Sequence, residues 1–255
     1  MDGKELVDYV DTPETLSLRA ELESINAALA GAEVRLGGMR MAAPFLVRKF
    51  RATRKEGPHV FKRHGRLYGG FWQSLPRLQR HLLTLGGEPV ADLDFSSMFV
   101  RLAFIRQGVV PPSGDLYRVP GLEAHRAEVK ELTVSLFFRR AGAEATRLPK
   151  GMAGRLPNGW TMTRFKEAVG ALHPALIPLF DTDVGFDLMF MESRLLVAVL
   201  LVLSERGIVA LPMHDGIMVK QSARLEAMAV MGETSVRHLG CTLPVVEKSI
   251  KLPQA

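Results

Sequence analysis

Two aspartates stand where two apolar stretches end. Asp94 closes Pro89–Phe95 within EPVADLDFSS, and Asp215 sits in GIVALPMHDGIMVKQS, a His-Asp-Gly turn between two apolar runs, 121 residues further on. Carboxylates at two strand ends are the ligands that a pair of divalent cations, roughly 3.5–4 Å apart, uses to stabilise attacking and leaving oxygens in phosphoryl transfer. Asp92 precedes Asp94 by two residues and shares its strand face, which makes it a further candidate ligand. Asp181, Asp183 and Asp187 form a looser acidic group that reads as a loop or helix start. Glu192 and Ser193 open an apolar helix, where an acid is ordinarily a partner of the helix dipole.

A second constellation is basic. Arg126 and Lys130 are four residues apart in a stretch of helical spacing, 121–140, so they share a face with Val134 and Phe138. Such a face suits a triphosphate at its cations and a base at its ring; the alternative is an ordinary exposed helix with Phe138 in the core. Between Arg40 and Arg66 lie nine basic residues, Arg40, Arg48, Lys49, Arg51, Arg54, Lys55, Lys62, Arg63 and Arg66, against the single acid Glu56. The net charge of +6 is therefore concentrated, as it would be for a polyanionic partner, with a solvated charged face as the alternative.

Elements able to position these groups follow from the pattern. Residues 12–30 read as a helix, with Thr12 as cap, Pro13 in the first turn and a stripe of Leu16, Leu18, Leu22, Ile25 and Leu29. Turns lead into the strand Pro89–Phe95, a helical stretch carries Arg101 and Arg106, and Pro111–Pro120 is a loop. Residues 141–190 carry no clear pattern. Glu192–Arg206 reads as a buried helix ended by Gly207, and Ile208–Met213 with Ile217–Val219 as a hairpin for which Asp-Gly is a favoured turn. Trp72 and Trp160 read as packing aromatics. The longest apolar run, Leu195–Leu203, has nine residues, too few for a membrane helix, which requires roughly 20. One cysteine, Cys241, excludes an internal disulfide, and the acidic start lacks signal-peptide order, so a reducing, cytoplasmic setting is expected. No Walker or dinucleotide glycine loop is present.

Taken in order, these pieces resemble the three motifs of the family A nucleic-acid polymerases, the bacterial polymerase I type and single-subunit phage-type RNA polymerases. Asp94-Phe95-Ser96-Ser97-Met98-Phe99-Val100-Arg101 resembles the first motif, Asp-x-Ser-x-x-x-x-Arg. Arg126, Lys130, Val134 and Phe138 resemble the second, and His214-Asp215 the third. Gly65-Arg66-Leu67 with Leu75-Pro76 resembles the segment that precedes the first motif. The resemblance covers 65–138 and 190–220, about half the chain. It implies Asp94 and Asp215 as ligands of two Mg²⁺ (or Mn²⁺) ions, Arg126 and Lys130 on the triphosphate, and Phe99 and Phe138 against the incoming nucleotide and base pair. It further implies Arg66, His214 and Arg101 near primer and template.

Three positions depart from the family pattern. Phe99 replaces the glutamate that screens the sugar 2′-hydroxyl, Gly216 replaces the acid after the last aspartate, and Arg139 follows Phe138 where the family has Tyr-Gly. The expected architecture is α+β: a polymerase-type palm with a small antiparallel sheet backed by helices, and reduced fingers and thumb. The expected domains are a helical and basic region at 1–64 (thumb-like or nucleic-acid-binding), palm at 65–109, reduced fingers at 110–190 and the remainder of the palm at 191–255. With no room for a proofreading domain, the expected activity is template-directed, distributive primer extension from nucleoside triphosphates on DNA or RNA, away from membranes. The alternatives are a catalytically silent palm that binds nucleic acid as an accessory protein, and template-independent terminal transfer.

Overall fold

The computed structural model describes residues 6–52, 61–140, 147–152 and 154–250; Arg54, Lys55 and Glu56 of the basic block lie outside them. In chain order the elements are α1 (Pro13–Ala30), β1 (Val34–Leu36), β2 (Met39–Arg40), β3 (Val47–Phe50), β4 (His64–Tyr68), β5 (Leu83–Leu85) and β6 (Glu88–Phe95). Then follow α2 (Met98–Arg106), α3 (Arg126–Phe138), α4 (Met162–Leu172), α5 (Gly185–Glu205), β7 (Ala210–Pro212), β8 (Gly216–Lys220), α6 (Arg224–Leu239) and β9 (Val245–Lys248). They divide into two compact units, 1–96 with 189–255, and 97–188.

The first unit is built on an antiparallel seven-stranded sheet in the order β2-β1-β5-β6-β8-β7, with β9 also on β6. Strand β6 is its axis. Leu93 and Phe95 are buried, each contributing about 1.5–3 kcal/mol by leaving water. One flank of β6 pairs with β8 along its length; the other is shared, β5 taking Glu88 and Pro89 and β9 taking Asp92–Phe95. Leu195, Val199 and Leu203 of α5 and Val230 and Met231 of α6 are buried with the sheet's apolar residues, while β3 and β4 form a separate two-stranded ribbon. Helix α1 starts as its sequence requires: the Thr12 hydroxyl accepts from the Thr15 amide at 3.2 Å and the Thr15 hydroxyl from the Thr12 amide at 2.8 Å, a reciprocal cap.

The second unit packs α2, α3 and α4 around Leu102, Phe104, Leu132, Leu136, Phe137 and Phe165, all buried. Two expectations need correction. Helix α3 begins at Arg126 rather than 121, because residues 121–125 are turns that begin at Gly121, φ +79°. Helix α5 begins at Gly185, not at Glu192, so Glu192 is an interior residue of a 21-residue helix and its acid is not a dipole partner at a helix start. The mixed α and β content and the antiparallel sheet are as expected. Gly207, at φ +70°, follows α5 as its stop.

Candidate active site

Asp94 and Asp215 are brought together by strand register. Asp94 is paired with Gly216 across β6 and β8, and the Phe95 amide donates to the Asp215 carbonyl at 3.0 Å. The two carboxylates therefore issue from neighbouring strands at one end of the sheet. The expected hairpin forms, β7 pairing antiparallel with β8, but Gly216 is the first residue of β8 rather than a turn glycine. A Cβ there would stand 2.2 Å from the Leu93 carbonyl and 2.9 Å from Asp94 Oδ1. At this position β8 lies too close to Leu93 and Asp94 for a Cβ. The turn that presents Asp215 is pinned from behind, where Trp72, fully buried, and Gln73 donate to the Pro212 carbonyl at 2.8 and 3.2 Å.

The electrostatics are those of an acid pair in need of a cation. Burial, and then the charge of Asp215, push the Asp94 carboxyl up to about 7, against the opposing pull of Lys248, whose Nζ lies 2.5 Å from Asp94 Oδ2. Asp94 Oδ1 is buried and accepts no hydrogen bond. An orphaned carboxylate oxygen beside a second carboxylate fits a divalent cation, whose preferred ligands are such oxygens. Among the described residues no group of three or more His, Cys, Asp or Glu side chains is clustered for a metal, so these two acids are the protein ligands on offer.

Beneath the pair, Glu192 of α5 is buried and held by Arg66 through two bonds of 2.6 and 3.0 Å. Burial drives its carboxyl up to about 7, Arg66 opposes, and Asp215 and Asp94 add to the rise. Gly65, at φ +76°, lets β4 approach α5 there, since a Cβ would stand 2.6 Å from Ser193 Oγ. Arg66 therefore supports Glu192 in this arrangement. Arg48 of the basic block is likewise engaged, with Glu21 at 3.0 Å and the Gly65 carbonyl at 2.9 Å, whereas Lys49 and Lys62 are exposed.

His214 is half-buried against Tyr68, with ring centroids 5.8 Å apart, and its Nδ1 has no partner. Burial first, and then the Arg66 cation, lower its pKa, so the ring is neutral at pH 7. Tyr68 in turn stacks on His64, whose Nε2 lies 3.1 Å from the phenol oxygen. Tyr68, Phe71, Gln73 and His214 line an open cavity of about 430 Å³.

The remaining candidates lie in the second unit. Arg126 and Lys130 are both exposed on α3; Arg126 forms a bidentate pair with Asp115 at 2.6 and 2.9 Å and lies 5.4 Å from the Tyr117 ring centroid. Phe99 stacks on Phe138 at 5.6 Å, and Phe138 meets Phe186 edge-on at 5.1 Å. Phe138 is half-buried rather than a core residue, and a Cβ on Gly185 would collide with its ring at 2.5 Å. Arg101 is buried, donating to the Pro112 and Gly114 carbonyls at 2.8 and 2.9 Å. Asp181 pairs with Arg139 and Lys166, and Asp187 with Arg106. Asp92, in the first unit, pairs with Arg80 at 2.9 Å. Sequence reasoning missed Lys248, which is 154 residues from its partner in a four-residue strand, and Asp115, hidden in a Pro-rich loop.

No protein-family model matches the chain, and no curated protein does. Among solved structures it is similar to the POL domain of Pol1 from M. smegmatis, in complex with DNA primer-template and dNTP, at 13% identity and a TM-score of 0.48. The match covers 92% of this chain and 50% of that one, so this chain spans half the length of that structure. No described helix is long and apolar enough to cross a membrane.

Proposed function

We propose that the chain is a minimal nucleotidyltransferase of the family A polymerase type, extending a nucleic-acid primer on a template, with the first unit as palm and the second as reduced fingers. One observation carries this: the buried, unpartnered Asp94 Oδ1 beside Asp215, where β6 meets β8 at a Gly216 that has no room for a Cβ. Asp94 and Asp215 would hold Mg²⁺ or Mn²⁺, which when bound stabilises negative charge on the attacking and leaving oxygens of phosphoryl transfer.

The protein's own groups do the rest. Arg126 exchanges Asp115 for triphosphate oxygens, a like-for-like swap of one bidentate anion for another, and Lys130 adds a second charge one turn along. Phe99 and Phe138, stacked together, offer an apolar wall to sugar and base. Neutral His214 presents a hydrogen-bonding edge near the primer end, and Arg66 holds Glu192 in place below the acids. Lys49 and Lys62 are exposed for a phosphate backbone.

The silent palm has one observation in its favour, the Lys248 ammonium already on Asp94. Binding of a fluorescent nucleoside triphosphate with and without Mn²⁺ separates the two. The enzyme should bind it metal-dependently and lose about 1.5–3 kcal/mol of affinity in Arg126→Ala; metal-independent binding, or none, would favour the silent protein.

A further inference from the structure

Lys248 closes β9, a strand whose described partner is β6 alone. By register it stands opposite Asp92, yet its ammonium goes to Asp94, the diagonal neighbour two residues on, while Asp92 is matched by Arg80. The cation is thus directed to the acid beside Asp215. It covers Oδ2 and leaves Oδ1 buried without a hydrogen bond. A carboxylate that serves two cations can offer each its own oxygen, and the ammonium occupies one of the two. The lysine side chain is 35% exposed, so its head can leave for water without opening the core, whereas that of Asp94, at 10%, cannot.

Resting on the metal reading above, we propose that Lys248 is a tethered competitor for the second cation. Asp94 and Asp215 would hold the first divalent ion, and Asp94 Oδ2 would become available to a second only as the ammonium leaves it. In the metal-free chain the same ammonium balances an otherwise unpaired buried charge. Lys248 is a positioning residue: it sets the metal concentration at which Asp94 becomes available at both oxygens.

The test is Mn²⁺ titration of the full chain at pH 8 without nucleotide, following the resonance of free Mn²⁺, on wild type, Lys248→Met, Lys248→Arg and Asp94→Asn. An opposite charge shifts a carboxylate's affinity for a proton by about 1–3 units, so its removal should strengthen the weaker Mn²⁺ event by roughly tenfold or more. Lys248→Arg should bind Mn²⁺ no better than wild type, and Asp94→Asn should lose the weaker event. Should Lys248→Met not fold, Lys248→Gln takes its place. A weaker event unchanged or weakened by removing the charge, with wild type still binding, overturns the competitor alone. No binding by wild type or any variant overturns the metal reading with it.

Discussion

A carboxylate enclosed between strands and facing another carboxylate is penalised as long as it stays ionised, and Asp94 is in that position. Its folded pKa of about 7 lies above the unfolded value of 3.8, so the fold holds that proton more tightly than the open chain does. The resulting stability is full below about pH 4 and is lost as pH rises to 7. In chelator, Asp94→Asn should therefore raise the free energy of unfolding by roughly 2 kcal/mol at pH 8 and change it little at pH 4, as measured by urea melts. Glu192 has the same sign, and its partner gives a sharper case. Arg66→Ala leaves a buried carboxylate without its cation, a loss of about 3–5 kcal/mol at pH 8 that should shrink at pH 5, where Glu192 takes up a proton. A loss equal at both pH values would show that packing, not charge, is at stake. At this scale the acids were legible because their residue type carries the chemistry. Lys248, Asp115 and the role of Glu192 were not, because each depends on a partner that only the folded chain supplies.

Elements turn those residues into a site through close backbone approach. Gly216 illustrates this: in the sequence it completes an Asp-Gly pair, which favours a turn, and in the fold it is the one residue small enough to lie against Leu93 and Asp94. Gly216→Ala should cost about 1–3 kcal/mol, as overpacking does, and remove metal binding by prising β8 from β6; a stable variant with wild-type Mn²⁺ affinity would refute the role. The strands that carry Asp94 and follow Asp215, and helix α1, were legible because apolar runs bounded by turn residues, a Thr cap and an early proline act locally. Helix α5 was read seven residues short, since Gly185 and Asp187 look like loop residues until Phe138 is seen packed on the glycine.

The whole molecule carries its +6 charge unevenly, and part of the basic block is already committed: Arg48 to Glu21 and Arg66 to Glu192. Exposed Lys49 and Lys62 remain for phosphates. Replacing either by Ala should weaken binding of a labelled duplex similarly for all sequences and lower the slope of log affinity against log salt by about one. Helix α4 was not legible, because short apolar runs between glycines and prolines in 141–190 take their structure from packing around Phe165 and Leu136. The most direct test of the proposed activity joins both units. A labelled primer is offered on DNA and on RNA templates, with deoxy- or ribonucleotides and Mg²⁺ or Mn²⁺, to wild type, Asp94→Ala and Asp215→Ala. Template-directed extension by wild type, lost in both variants, is the result expected here. Extension that ignores the template would mean terminal transfer, and a wild type that binds nucleic acid yet extends nothing with either metal would contradict the polymerase assignment.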